Sequence, residues 1–352
     1  MRHFIPIAFA SLVASAGPVF GETIKLTVVA GAPPYVTYVK AGKEKFIPYI
    51  NQRLKESGKD FKIEWTEAYA QSLAKLPEVF ETVEEGVANV GFILKNFEAS
   101  KLPLEQVTSN APFGKFSMEQ MVEVDRDMRK KVPALNQAYL KYNQVFLGSG
   151  VSGSQQFFST FPVKTVDDLK GHKIGASGAF GQWFQGTGAV VVSSAMVNAY
   201  TDIRNGVYEG YPMNEVLGFA YKAYQVAPYF TRVDFGPSNV SGITVNRDTW
   251  EKLPDFVQKI FMEAAEKYPH WIIEEETAKM KKFMGIMTKS GLKVSDLPDA
   301  ERVRWADKMP NIAQEWAERQ EKKGLPGREV LAAFMGELKA RNIPVARDWL
   351  KK

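Results

Sequence analysis

The chain has 352 residues, 45% hydrophobic and 24% charged, and its net charge is +5. It contains no cysteine, which excludes disulfides, thiol nucleophiles and thiolate metal sites. The three histidines, His3, His172 and His270, show no metal-ligand spacing, so no metal and no cofactor is predicted. Acidic residues are interleaved with the basic ones along the predicted helices, which indicates solvated surfaces and no nucleic-acid partner.

Residues 1–21 are typical of a secretory signal peptide. Arg2 and His3 form a basic start, and FIPIAFASLVA is an apolar segment of the length that such signals use. Small residues then offer cleavage after Ala16 or Gly21. The apolar run is shorter than the roughly 20 residues that a membrane-spanning helix needs. We therefore expect an exported protein.

The next elements in chain order alternate between strands and helices. Strands are predicted at 22–31, 61–66 and 87–94, and helices at 39–54 and 76–86. This β-α-β-α-β order is typical of a parallel sheet with helices on its faces.

The same alternation returns in the second half of the chain. NQVFLGSG, HKIGA, VVVSSA and SGITVN are predicted strands, and EVLGFAYKAYQVAPY is a predicted helix. Helices are also predicted at 299–323 and 328–341. The fold class is therefore α/β, with two lobes, a hinge and one long helix that crosses both. The predicted domains are lobe I at 22–147 with part of 236–284 returning to it, lobe II at 148–235, the lobe-spanning helix at 250–284, and C-terminal helices at 285–352.

Two motifs raise the question of an enzyme. GSGVSG, from Gly148 to Gly153, matches a dinucleotide-binding fingerprint, but SQQFFSTFP follows without a helical period. It therefore predicts a strand end or hinge. Neither Ser152 nor Ser177 lies in a nucleophile elbow. We predict no enzymatic activity, and a secreted enzyme remains the alternative from another class.

Three segments, TVDDLKGHKIGASG, VNAYTDIRNGVYEGYPMN and AYQVAPYF, follow one another in a specific order. The chain resembles the periplasmic solute-binding proteins of tripartite ATP-independent periplasmic (TRAP) transporters over essentially its whole mature length. The match lies in the D-L-K-G block that begins at Asp168, in Tyr200, Gly206 and Gly210, and in Gln225, which occupies the glutamate position of the family's E-V pair. The resemblance implies a two-lobed clamp that captures a small solute in the periplasm and delivers it to a membrane permease.

Most members of that family bind organic acids, and an arginine in a K-I-R strand holds the carboxylate. Gly175 occupies this position here, and Gln155 or Gln156 stands where a further arginine is often found. Met213 aligns with the family's asparagine, with Asn214 next to it. A carboxylate buried without a partner is costly. These departures predict a neutral or cationic solute, such as an amine or amino alcohol.

The other candidate ligand-binding residues are aromatic or polar groups near predicted strand ends. Aromatic faces suit a cation, and core packing is the competing interpretation for each of them. A carboxylate from Glu209 or Glu215 could supply the negative charge. An alternative keeps the binding role for a monocarboxylate or keto acid held by Lys95. The remaining candidates are Tyr35, Tyr69, Phe180, Trp183, Tyr211, Phe235 and Asn239.

Overall fold

The computed structural model describes residues 22–351, so the predicted signal peptide lies outside the described residues. The described chain is a mixed α/β protein with two sheets. The strands are β1 (Glu22–Val29), β2 (Phe61–Ala68), β3 (Val90–Leu94), β4 (Gln144–Ser152), β5 (Gln156–Ser159), β6 (Lys173–Ala176), β7 (Val190–Ser193), β8 (Gly210–Met213), β9 (Tyr229–Arg232), β10 (Ser238–Asn246) and β11 (Lys293–Asp296).

The helices alternate with these strands in the first two thirds of the chain and follow one another at its end. Within the described range, none of them is both long enough and apolar enough to cross a membrane. The helices are α1 (Thr37–Ala41), α2 (Ile47–Glu56), α3 (Val79–Glu84), α4 (Val107–Asn110), α5 (Met118–Lys131), α6 (Ala134–Leu140), α7 (Ala199–Arg204), α8 (Glu215–Ala220), α9 (Arg247–Lys252), α10 (Asp255–Lys289), α11 (Asp299–Lys308), α12 (Ile312–Glu321) and α13 (Gly327–Ala340).

The first sheet has five strands in the order β2-β1-β3-β10-β4. This sheet and the helices that pack on it are called lobe I. β1 pairs in parallel with β2 and β3, as the alternation predicted. β10 runs antiparallel to both β3 and β4. The parallel sheet is therefore completed by a strand that returns from the second half of the chain.

The second sheet has six strands in the order β11-β9-β5-β8-β6-β7 and forms lobe II. β5 runs antiparallel to β8 and β9, and the sequence pattern missed both β5 and β9. β5 is four fully buried residues, so it shows no alternation. The helix predicted over 215–229 ends at Ala220, because Lys222 adopts a left-handed backbone with φ 56°.

Two strands and one long helix connect the lobes. β4 leads from lobe I into β5 of lobe II, and β10 returns to lobe I. α10 has 35 residues and packs against β4 in lobe I and against α8 in lobe II. The sequence predicted one helix from residue 250, but the chain breaks at Pro254 and α10 begins after it. The predicted lobe-crossing helix is otherwise present.

The glycines of the fingerprint-like GSGVSG segment allow close packing. A Cβ atom on Gly150 would lie 2.2 Å from Ser241 Oγ and 2.7 Å from Ile272 Cδ1. A Cβ atom on Gly148 would lie 3.0 Å from the carbonyl oxygen of Ala265. β4 therefore needs small residues here because β10 and α10 approach it closely.

Replacing Gly150 with alanine should destabilise the protein by about 1–3 kcal/mol, because the new methyl group overpacks the contact of β4 with β10 and α10. The matched control is Gly285→Ala at an exposed position of α10, where a Cβ atom meets nothing within 4 Å. That control should be neutral or stabilising by roughly 0.5–1 kcal/mol. Urea denaturation measures both, and equal stability of the two variants would contradict the packing account.

Candidate binding cleft

The carboxyl ends of the parallel strands mark the candidate site. In open α/β sheets, ligands bind in the crevice beyond these strand ends. By this rule, we expect the segments after β1, β2 and β3 in lobe I and those after β6 and β8 in lobe II to border the candidate cleft. Asn214, just after β8, donates from Nδ2 to Ser152 Oγ at the end of β4 over 3.0 Å. Tyr35 of lobe I acts electrostatically on Tyr221 of lobe II. The two lobes therefore meet around these strand ends.

The position that carries arginine in the K-I-R pattern is filled by a neighbouring ring. A Cβ atom on Gly175 would lie 2.4 Å from Cζ of Tyr208, a fully buried residue. The Tyr208 hydroxyl lies 3.4 Å from Ser194 Oγ. The sequence predicted bare backbone at this point, whereas the structure covers it with an aromatic side chain. No residue larger than glycine fits at position 175 unless that ring moves.

Polar groups at the start of β5 and the end of β8 have mixed roles. Asn214 caps α8, since its Oδ1 accepts the Leu217 N–H at 2.9 Å. Met213 is fully buried in the lobe II core. Gln156 exchanges two hydrogen bonds with Asp234. The Oε1 atom of Gln155, in contrast, is buried and has no hydrogen-bond partner among the described residues.

Two buried carboxyl groups lie where α8 packs against α10. Glu215 is 5% exposed, and its Oε2 atom has no hydrogen-bond partner among residues 22–351. Burial raises the pKa of the Glu215 carboxyl, and a hydrogen bond from its own backbone N–H and the Arg232 charge oppose this rise. Glu276 of α10 is 6% exposed, and burial raises its pKa to about 7 against a hydrogen bond from Thr37. Glu215 and Glu276 also repel each other, so this pair lacks full compensation.

Glu276 was missed by the sequence reasoning. It ends the acidic triplet of residues 274–276, and a carboxylate pair such as Glu275-Glu276 on a predicted helix is typical of exposed helix surface. The available signal was helical spacing, since Glu276 follows the buried Ile272 and Ile273 by four and three residues. That spacing places its carboxyl group on the buried stripe of α10.

The nearby lysines are engaged with a different carboxylate. Lys40 donates to both oxygens of Glu275 at 2.9 Å. Lys279 lies 3.2 Å from Glu275 and donates to the Tyr35 carbonyl oxygen at 2.9 Å and to Thr37 Oγ1 at 3.2 Å. These lysines therefore bind α1 and the residues just before it to α10. Among the described residues, Glu276 has no direct ion pair, although the charge of Lys279 opposes the rise of its pKa.

Arg232, the last residue of β9, brings a guanidinium group to the lobe II edge of the cleft. Its Nη1 atom donates to Asp296 over 3.1 Å, and both side chains are exposed. Arg232 thus acts on Glu215 by charge, without a hydrogen bond between them in the described contacts.

Two tyrosines come from the lobe I side of the cleft. Tyr69 follows β2, and its hydroxyl is buried without a hydrogen-bond partner among the described residues. Its ring stacks on Phe92 at 6.5 Å between centroids, and Lys43 lies 5.7 Å from it. Tyr35 is 74% exposed and lies at the rim. Of these two tyrosines, Tyr69 is therefore the better candidate to contact a solute through its hydroxyl group.

Several predicted site residues lie in packed interiors instead. Trp183 and Phe235 are buried and stack at 4.6 Å, and Phe180 packs on Trp183 at 4.4 Å. Trp183 also donates from Nε1 to the Ser109 carbonyl oxygen of lobe I at 2.8 Å. Tyr211 is buried in lobe II and donates to a carbonyl oxygen at 2.9 Å. These rings therefore serve packing, and the Trp183 hydrogen bond to Ser109 connects lobe II with lobe I.

Of the last two predicted residues, Glu209 lies away from the cleft, and the side chain of Asn239 is not described. Glu209 precedes β8, at the opposite end from the cleft, where it accepts the Lys173 N–H at 3.1 Å and lies 3.0 Å from His172 Nδ1. Asn239 belongs to β10, and its side chain lies outside the described part of the structure.

Lys95 belongs to a buried charge network in lobe I. It is 1% exposed, and its Nζ donates to Glu105 and Ser149, both at 3.1 Å. Arg129 binds Glu105 at 2.7 Å and Asp125 at 2.9 Å. Burial alone would raise the pKa values of both carboxyls, but Arg129 and Lys95 hold them below their usual range. Lys95 is thus already paired with Glu105 inside the protein.

A groove of about 810 Å³ lies between α5, β4 and α10, and Asp125, Arg129 and Ser149 line part of it. These groups hydrogen-bond one another. Among the described residues, buried side-chain oxygens without partners occur near the strand ends in Tyr69, Gln155 and Glu215, and elsewhere in Tyr38, Gln144, Thr244 and Gln320. The interlobe cleft is kept as the candidate site because ligands of open α/β sheets bind beyond the strand ends. Within residues 22–351, no cluster of three or more His, Asp or Glu side chains could hold a metal ion.

Comparisons with known proteins agree with this architecture. Residues 41–320 match the family model described as bacterial extracellular solute-binding protein, family 7 (DctP). A solute-binding protein of Sulfitobacter sp. (strain NAS-14.1) is 33% identical over 117 residues, which are 33% of this chain. That match spans only 35% of the length of the relative.

Solved structures resemble the whole fold. A TRAP periplasmic solute-binding protein from Sulfitobacter sp. NAS-14.1 with bound β-D-galacturonate has a TM-score of 0.72 at 18% identity, over 88% of this chain and 99% of that chain. An extracytoplasmic solute receptor of Bordetella pertussis that binds pyroglutamic acid has a TM-score of 0.70 at 19% identity, over 88% and 99% of the two chains. At these identities, the likeness shows the two-lobed fold.

The Lys95 network predicts a large stability difference between two arginines of α5. Arg129→Met leaves the buried carboxylates of Glu105 and Asp125 poorly compensated and should cost about 3–5 kcal/mol. Arg126→Met, on the exposed side of α5, should cost less than about 1 kcal/mol. Chemical denaturation measures both, and a small cost for Arg129→Met would show that the network is not structural.

Proposed function

The chain belongs to family 7 of the bacterial extracellular solute-binding proteins, and from this premise we propose that it captures a small solute other than a dicarboxylate and delivers it to the permease of a TRAP transporter. Family membership and the two-lobed fold support the binding role. Capture takes place in the periplasm, and β4, β10 and α10 serve as the connections about which the lobes close. The permease recognises the closed form.

The proposed chemical class of the solute rests on the charges at the cleft. The position for a carboxylate-binding arginine is Gly175, under the ring of Tyr208. Glu215 instead brings a buried carboxyl oxygen without a partner among the described residues. A solute carboxylate placed beside it would meet a like charge, whereas an ammonium group would pair with it. An amine or amino alcohol therefore fits the cleft better than a dicarboxylate.

An organic acid is the competing proposal for the solute, because structural relatives bind acids. The solved proteins named above bind galacturonate and pyroglutamic acid. In this chain an acid needs a cation, and Lys95 is the candidate from the sequence for a monocarboxylate or keto acid. Since Lys95 already binds Glu105, the acid would have to displace that carboxylate. Arg232 is more accessible, but it pairs with Asp296. These observations favour the amine.

A thermal-shift screen of amines, amino alcohols, monocarboxylates and dicarboxylates tests the solute class. A ligand at 100 times its Kd adds about 2.7 kcal/mol to the unfolding free energy, so true ligands raise the melting temperature by several degrees. We expect amines to do so and dicarboxylates to have no effect beyond that of sodium chloride at equal ionic strength.

Stabilisation by dicarboxylates alone would contradict the amine proposal. Lys95→Ala and Arg232→Ala would then identify the cation, because each removes one positive charge and only one of them should abolish acid binding. A compound that is chemically converted during incubation would favour the enzyme alternative over a binding protein, and mass spectrometry of the mixture detects such conversion.

A further inference from the structure

We propose that Glu215 and Glu276 together bind the positively charged head of the solute, a primary or secondary ammonium group with at least two N–H donors. This inference rests on the proposed function, since it assumes that the interlobe cleft captures a small solute. It adds the residues that recognise the charge and the kind of ammonium that they accept.

The two glutamates reach the site from different elements. Glu215 begins α8, which follows directly from β8 of lobe II, and Glu276 lies on α10, which spans both lobes. Each side chain is more than nine-tenths buried, and the two carboxyl groups interact electrostatically. A cation between them would contact lobe II and the lobe-spanning helix at once. Binding would then stabilise the closed arrangement of the lobes.

The cations around this pair act on it without a direct ion pair among the described residues: Lys279 opposes the raised pKa of Glu276, and Arg232 opposes that of Glu215. Lys40 and Lys279 bind Glu275, and Arg232 binds Asp296. The first residue of α1 contributes the neutral Thr37 hydroxyl, and Asp234 after β9 adds a further negative charge near Glu215. A buried carboxylate without a cation is costly and tends to bind a proton. The raised pKa values of both glutamates agree with the lack of a direct ion pair among the described residues.

The buried carboxyl groups favour an ammonium that can donate hydrogen bonds. The Oε2 atom of Glu215 is buried without a partner among the described residues, and the buried Glu276 carboxyl interacts with Glu215 electrostatically. A primary or secondary ammonium can donate to two acceptors while its charge is neutralised. A quaternary ammonium has no N–H group, so it would leave these acceptors unsatisfied.

Isothermal titration of the full mature protein tests the assignment with ethanolamine, N-methylethanolamine, putrescine and choline as probes. Wild type should bind a primary or secondary amine at least about 10-fold more tightly than choline. Glu215→Gln and Glu276→Gln should each weaken the binding of that amine by roughly 10- to 150-fold, the range that corresponds to the loss of one hydrogen bond to a charged group. The matched control, Glu274→Gln on the exposed face of α10, should bind like wild type.

Melting curves of the free variants separate binding from folding, because an isosteric amide should leave the melting temperature unchanged or raised. Unchanged amine affinity in folded Glu215→Gln and Glu276→Gln would overturn this inference while leaving the proposed function intact. Binding of acids but of none of the four amines by wild type would overturn the proposed solute class as well.

The pH dependence gives a second readout specific to Glu276. Its pKa of about 7 in the free protein means that it is mostly ionised at pH 8 and mostly protonated at pH 6. Amine affinity should therefore fall by about 10-fold as the pH drops from 8 to 6, since the probes stay protonated throughout. Glu276→Gln should flatten this dependence. A wild-type affinity independent of pH would contradict a role for Glu276.

Discussion

Charge compensation in a closing cleft is the constraint on which the rest of this protein depends. When two lobes close over a solute, water is excluded and every buried charge needs an opposite one. The described cleft contains two buried glutamates, Glu215 and Glu276, and a tyrosine ring over the position where an arginine would bind a carboxylate. The fold supplies the clamp, and the proposal of a positively charged solute rests on these few side chains.

The same residue types serve stability in lobe I. There, Glu105 and Asp125 are as buried as the cleft glutamates, but Lys95 and Arg129 bind them directly. A compensated network of this kind holds the helices of one lobe on its sheet. The pair at the border of the two lobes lacks such direct ion pairs among the described residues, and this difference is the basis for proposing a ligand there. The contrast explains why buried charge alone does not identify a binding site.

The sequence was sufficient for the family, the α/β class and the long helix α10, because these follow from periodicity and ordered motifs. It was insufficient wherever distant segments meet. The ring of Tyr208 over Gly175 and the pairing of Lys95 with Glu105 depend on tertiary contacts that no spacing reveals. The sequence pattern missed β5 because this short strand is buried throughout and shows no alternation. It missed β9 because this short strand begins where the sequence resembles the end of a helix. Glu276 was hidden in an acidic triplet, although its helical spacing from buried isoleucines was visible.

A crystal structure of the protein purified from cells, with its natural solute retained, tests the central claim most directly. We expect electron density for a small molecule between the lobes, with a nitrogen atom within hydrogen-bond distance of the Glu215 and Glu276 carboxylates. A solute whose carboxylate contacts Arg232 or Lys95, with both glutamates turned away or protonated, would contradict the account.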